Sequence, residues 1–321
     1  MGKHIIRLNP KVRSQVNKHL LVLALALLWN LACKLKPPAG YYKQKGRKAG
    51  DWRIKFCLCT LRVVLIKNYD QYEAEMITDA RLLNFFGAKK LPSRSNIHRF
   101  TQLLDAAYIR QCMRELVKPY VNRAVDIILD ATGISLMSRS VWYNLRTGTK
   151  VMKRDCYKLH AAISLRWRLI LNWRISKGKK HESPYLSSLL RPFKILGLVL
   201  ADAGYSSRKN LQYIVDKLGA PFIKFNERAT AKSKNYPAWK VQHYFYTTMR
   251  FIWDKIYAKR NRIENVFSVI KGVWGDSLSS HNKRRRMREL MLRLLAYNVR
   301  QILYIQYSIA NNLPLWARAQ K

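Results

Sequence analysis

The chain has 321 residues and is 49% hydrophobic, enough apolar material for two domains with cores of their own. Lys and Arg number 61 against 18 Asp and Glu, a formal charge of +43, and self-repulsion on that scale calls for a polyanionic partner. The five cysteines are odd in number and lack any paired CxxC spacing, which argues against a disulfide framework or a zinc site and makes a reducing compartment, the cytoplasm, the expected location.

The first 120 residues read mostly as helices. LLVLALALLWNLAC, Leu20 to Cys33, is a run of about 14 residues, whereas a membrane-spanning helix needs roughly 20. No small-residue cleavage site precedes the following KLKPP, so a buried helix is expected, with no membrane partner. After a Pro- and Gly-containing breaker comes WRIKFCLCTLRVVLIK, then YEAEMITDARLLNFFG with Gly87 as a natural helix stop. Ser93 is placed to cap a further helix running through RSNIHRFTQLLDAAYIRQCMRELV. Helix, connection and helix across residues 73–104 form a candidate helix-turn-helix, with Arg94, Asn96, His98 and Arg99 near the second start. A plain helical bundle is the alternative.

From about residue 121 the pattern changes to AVDIILDATGISLM, YKLHAAISLRW and RLILNWRIS, three β-rich runs. SPYLSSLLRPF reads as a helix and ILGLVLAD as a fully buried strand; SSRKNLQYIVDKLG is a helix ending at Gly219, APFIKF a short strand, and another helix follows. Three strands, then helix, strand, helix, strand and helix imply a mixed α/β sheet flanked by helices. MRELMLRLLAYNVRQILYIQYSIANN is one more amphipathic helix at the end. Tyr and Trp are interleaved with the basic residues throughout, as in VWYNLRTGTKVMKR and SLRWRLILNWRISKGKK, which suits a broad nucleic-acid surface. Trp142, Trp239 and Trp253 are candidates to stack on a base, with packing as the competing role.

Only eleven acidic residues lie beyond residue 120. Asp130 closes VDIILD and Asp202 closes ILGLVLAD. A carboxylate at the C-terminal end of a buried strand is costly to desolvate without a cation on it, and that end is where ligands collect in sheets with helical crossovers. Asp126 shares a strand face with Asp130 by period-two alternation; the strand-end position favours Asp130. His160 is read as a strand residue near this site, not a ligand. A third acid, Glu264, lies in YAKRNRIENVFSVIKG, Tyr257 to Gly272. At about 100° per residue, Tyr257, Arg260, Glu264 and Lys271 share one narrow helix face beside an apolar arc of Ile256, Ile263, Phe267, Ile270 and Trp274. Asp130, Asp202 and Glu264 are three hard oxygen ligands suited to Mg²⁺ or Mn²⁺, and two such ions can support an in-line displacement at phosphorus by water.

The spacing Y-(2)-R-(3)-E-(6)-K formed by Tyr257, Arg260, Glu264 and Lys271 resembles the signature of prokaryotic insertion-sequence transposases of the DDE type. LDATGISL, LADAGYSS and YKLHAAIS resemble strands of the same group, so the likeness covers residues from about 123 to 300. The resemblance implies a ribonuclease-H-like catalytic domain over residues 121–321, C-terminal helix included, preceded by a helical DNA-binding region over residues 1–120. It implies Asp130, Asp202 and Glu264 as ligands of two Mg²⁺ or Mn²⁺ ions, and Tyr257, Arg260 and Lys271 as groups that hold DNA phosphates. The expected activity is cleavage of double-stranded DNA at the element's ends and transfer of the 3′-hydroxyl to target DNA, with a homodimer pairing two ends. About 60 residues separate Asp202 from Glu264, little room for the large β-rich insertion of some members. A nuclease without strand transfer and a noncatalytic repressor remain alternatives; the complete acid triad argues against the second.

Overall fold

The computed structural model describes residues 6–42, 50–136, 156–178, 180–226, 228–280 and 282–318. The chain divides into two compact units: Met1–Leu116 joined by Asn282–Lys321, and Val117–His281.

The first unit begins with strand β1 (Ile6–Leu8) and helices α1 (Pro10–Lys18), α2 (Leu20–Cys33) and α3 (Trp52–Val64). A single turn, α4 (Tyr69–Gln71), leads to α5 (Ala80–Phe86), α6 (Arg94–Thr101) and α7 (Ala106–Val117). The apolar run of α2 buries Leu20, Ala24, Leu25, Leu28, Leu31 and Ala32, and the helix packs against α3. No single helix among the described residues is long and apolar enough to cross a membrane. Gly87 stops α5 at φ 59°, a left-handed conformation that costs glycine little. The long helix expected from Ser93 onward breaks after Thr101 and resumes at Ala106, because the Asp105 carboxylate accepts the Tyr108 N–H at 2.7 Å and starts a fresh helix. Helices α5 and α6 flank residues 87–93, the connection of the candidate helix-turn-helix.

In the second unit the strands are β2 (Ala124–Leu136), β3 (Cys156–Ser164), β4 (Ile170–Lys177), β5 (Ile195–Ala201), β6 (Ala220–Ile223) and the short β7 (Ser277–Leu278). Between them come α8 (Tyr185–Leu190), α9 (Arg208–Asp216), α10 (Pro237–Thr248), α11 (Arg250–Tyr257) and α12 (Arg262–Trp274). The sheet order is β4-β3-β2-β5-β6, with β7 pairing the end of β2. Strands β2, β3 and β4 are antiparallel neighbours, whereas β5 and β6 run parallel to β2. Three antiparallel strands continued by two parallel ones through helical crossovers is the ribonuclease-H-like arrangement expected from the sequence. Its core is the continuous apolar faces of β2 and β5, including Ile127, Ile128, Leu129, Val199, Leu200 and Ala201, all fully buried.

Helix α13 (Lys283–Ala310) and strand β8 (Trp316–Arg318) complete the first unit. The sequence reading grouped this helix with residues 121–321; its contacts group it with the first unit. Helix α13 packs on α1, α2 and α3, and its Leu290, Leu294, Leu295, Val299, Ile302 and Ile305 are fully buried. At roughly 1.5–3 kcal/mol per large apolar side chain, that burial alone contributes on the order of 10 kcal/mol before chain entropy is subtracted. Antiparallel pairing of β1 with β8, Ile6 opposite Arg318, ties the two ends of the chain together.

Candidate active site

The site begins with strand register. β2 and β5 are paired in parallel as far as Leu129 opposite Ala201, so Asp130 and Asp202 are the next residues on adjacent strands. Asp130 does not end its strand, as the sequence led one to expect. β2 continues to Leu136 because β3 goes on supplying a partner, Asp130 opposite Ala161 through Ser135 opposite Cys156. Asp130 instead marks the point where the parallel neighbour stops. Asp126 has a structural use: its Oδ1 accepts the Leu198 N–H at 2.8 Å, at the irregularity in the β2–β5 pairing.

The stretch Tyr257–Gly272 is not one helix. Helix α11 ends at Tyr257, a 3₁₀ turn spans Ala258–Asn261, and α12 starts at Arg262. Since a 3₁₀ turn advances about 120° per residue instead of about 100°, the four-residue stripe read from one continuous helix is broken. Ile263, Val266, Phe267 and Ile270 are buried as an amphipathic helix requires, while Ile256 and Trp274 are only half-buried.

Arg260 is the connector. Its Nη1 donates to Asp130 Oδ2 at 2.9 Å and its Nη2 to Glu264 Oε1 at 3.4 Å. The side chains of Arg260 and Asp130 are each 16% exposed, that of Glu264 61%. Burial works against the guanidinium's charge, but Asp130, Tyr257, Asp202 and Glu264 together hold it firmly protonated. Tyr257 stacks on the buried Trp253 with ring centroids 4.4 Å apart. Burial, opposed by Arg260 and reinforced by Asp202 and Asp130, pushes its phenol up to about 12, so it stays a hydrogen-bond donor. Lys271 is partly exposed on α12 and makes no ion pair among the described residues. The structure thus brings Asp130, Arg260 and Glu264 into contact and sets Asp202 and Tyr257 within their electrostatic reach.

Asp130 carries the clearest imbalance. Burial raises its pKa to about 6, helped by Glu182 and Asp202 and opposed by the Ala131 N–H and by Arg260. Glu182 is a fourth acid at this site, to which the sequence reading gave no role. It pairs with Lys158 at 2.7 Å, and a Cβ on Gly204 would lie 2.8 Å from its Oε2, so glycine leaves room for the carboxylate beside the Asp202 loop. No spacing signal marks it, because it precedes α8 in a loop while its partner is on β3. His160 is fully buried; it stacks on Tyr185 at 4.1 Å and hydrogen-bonds Ser176 Oγ at 2.9 Å and the Tyr205 hydroxyl at 3.4 Å. Burial, with Lys158 nearby, lowers its pKa to about 4. A neutral imidazole therefore props the Asp202 loop against β3, β4 and α8. Trp239 and Trp253 are buried packing residues, and Trp142 lies outside the described residues.

Among the described residues, no three His, Cys, Asp or Glu side chains are gathered into a group that would hold a metal ion. The donor set nonetheless fits a hard divalent cation. Asp130 and Asp202 are next in register, Asp130 is short of positive compensation, and Glu264 is held at the far side of the same guanidinium.

The ribonuclease-H-like sheet sets Asp130 and Asp202 side by side where the parallel pairing of β2 with β5 stops, with Glu264 on a following helix, an arrangement of the phosphoryl-transfer class. The chain belongs to the family described as the Transposase DDE domain, which matches residues 122–299, more than half its length. It is a DNA transposase, an enzyme that cuts and joins DNA and depends on divalent metal ions. Among solved structures, the chain is similar to the piggyBac transposase in a synaptic complex with hairpin DNA, at 10% identity and a TM-score of 0.46 over 93% of this chain and 77% of that one. No curated protein matches.

Proposed function

We propose that the protein is a transposase of a prokaryotic insertion sequence, acting in the cytoplasm as a homodimer on two element ends. The observation that carries the reading is the bridge of Arg260 between Asp130 and Glu264, one strand register away from Asp202. Asp130, Asp202 and Glu264 would hold Mg²⁺ or Mn²⁺, which supplies an activated water and charge neutralisation at the scissile phosphate. The protein's part is positioning. Tyr257 donates a neutral hydrogen bond, while Arg260 and Lys271 offer charge-assisted ones to phosphate oxygens. Buried His160 and the Glu182–Lys158 pair keep the Asp202 loop in place. End-labelled terminal-repeat DNA with Mg²⁺ tests this directly: joined product supports transposition, cut but unjoined product supports a nuclease, and shifted intact DNA supports a repressor.

The two cations of the signature should separate in stability. Lys271→Ala removes no ion pair, so melting should be unchanged while cleavage falls. Arg260→Ala strips the partner from a buried carboxylate and should lower stability by about 1–3 kcal/mol as well as suppress cleavage. Arg260→Lys keeps the charge, loses the forked bridge, and should recover stability better than activity. Parallel melting and single-turnover assays check this; wild-type cleavage in both alanine variants would leave Arg260 a purely structural partner of Asp130 and Lys271 a surface charge.

Affinity for DNA should be mainly electrostatic, falling with log salt at a slope near −0.9 for each phosphate neutralised. A salt titration that leaves affinity unchanged would contradict this use of the +43 charge.

A further inference from the structure

The loops that leave β5 and β6 emerge at the end of the parallel strands where Asp202 lies, and they build a second feature there. Arg208, Lys232, Ser233, Lys234, Asn235 and Tyr236 line an open concavity of about 300 Å³. Its frame is fixed by hydrogen bonds. The Ser207 hydroxyl accepts the Asn210 N–H at 3.1 Å and caps α9, and Ala238 N donates to Gln212 Oε1 at 3.2 Å. Arg208 donates from Nε and Nη2 to the Lys232 carbonyl at 3.3 and 2.9 Å, and its guanidinium lies 5.1 Å over the Trp239 ring. That indole is buried and anchored through Nε1 to the Thr230 carbonyl at 2.8 Å. A ring covered in this way offers no face to a base.

What the concavity does offer is charge and donors. Among the described residues, Arg208, Lys232 and Lys234 have no carboxylate partner, and the lining contains no acid. Ser233 Oγ is shielded from solvent and has no hydrogen-bond partner among the described residues. A buried hydroxyl left unpaired is unfavourable until an acceptor reaches it. Three cations around an unpaired hydroxyl match a tetrahedral anion with several acceptor oxygens.

We propose that this pocket holds one backbone phosphodiester of the DNA strand, away from the scissile phosphate, with Arg208, Lys232 and Lys234 supplying the charge and Ser233, its hydroxyl turned outward about χ1, donating to a non-bridging oxygen. The proposal rests on the DNA-transposase reading and adds a fixed phosphate contact beside the Asp202 loop. It sets the register of the strand without reading its sequence.

The test uses the full chain and a labelled terminal-repeat duplex. The Lys232→Ala/Lys234→Ala double variant changes exposed side chains, and Ser233→Asp puts a negative charge in the pocket. Both should melt as wild type does, bind terminal-repeat and random duplex more weakly by the same factor, and show a salt slope smaller in magnitude by about 1. Single methylphosphonate substitutions along the duplex should reveal one position where neutralising the phosphate weakens wild-type binding but not binding by the double lysine variant. An unchanged slope in both folded variants, or a methylphosphonate profile identical for wild type and double variant, overturns the proposal. Loss of the metal-site reading would appear elsewhere, as cleavage by Glu264→Gln with this pocket intact.

Discussion

Glu264→Gln is expected to reduce single-turnover cleavage of terminal-repeat DNA by about a thousandfold or more, with DNA affinity unchanged or slightly tighter. The substitution keeps the side chain's shape and removes its charge. A metal ion's stabilisation of charge at phosphorus amounts to several kcal/mol, and each 1.36 kcal/mol is about a decade in rate. Because Glu264 is 61% exposed and paired with Arg260 only at 3.4 Å, the change should cost the fold little. Asp130→Ala and Asp202→Ala should match it in cleavage. Any of the three retaining a near wild-type rate would be removed from the metal site. Binding measured on the same preparations separates lost chemistry from lost DNA.

Asp130→Asn should abolish cleavage and yet stabilise the metal-free protein at neutral pH. Burial raises the Asp130 carboxyl to about 6 in the folded chain, above its ordinary value of 3.8. A folded pKa above the unfolded one means that the stability this group contributes is fully present below pH 4 and lost as pH rises through 6. The isosteric amide carries no charge to desolvate. At 1.36 kcal/mol per unit, the variant should gain up to about 3 kcal/mol over wild type at pH 7.5 in EDTA. The gap should close as pH falls from 6 to 4. The favourable pairing with Arg260 is already contained in that net shift. Equal melting temperatures across that range would mean that Asp130 is adequately compensated by Arg260 alone.

The sheet was legible because its strands carry their own signal. VDIILD and ILGLVLAD are apolar on both faces, which only a central strand between covering helices tolerates, and that marked Asp130 and Asp202 as carboxylates at the ligand-collecting end of the sheet; their adjacency came only with the register. The 3₁₀ turn at Ala258–Asn261 was hidden, since AKRN contains no Pro or Gly and the apolar spacing runs on through Ile263. The bond from Arg260 to Asp130 spans 130 positions and could not be read locally. Glu182 was invisible for a related reason: its importance comes from Lys158 and Gly204, one on β3 and one after β5. The packing of helix α13 on α1, α2 and α3 was not legible, because amphipathic periodicity shows that a face is buried and never against what.

That last helix has a consequence for the order in which the protein is made. The phosphoryl-transfer unit, Val117–His281, is one unbroken stretch of 165 residues set between the two halves of the helical unit. Helices α1 to α3 leave the ribosome first, but the surface that packs on them is synthesised only after that whole stretch. At a rate of about 5–20 residues per second, their apolar faces wait roughly 10–45 s for α13. During that interval the catalytic sheet can fold while the helical unit cannot close. A ribosome stalling near residue 281 would release a chain with a finished sheet and an open, adhesive bundle, a natural substrate for chaperones and proteases. Closure of the helical unit therefore waits on α13, so an assembled enzyme requires translation through that helix.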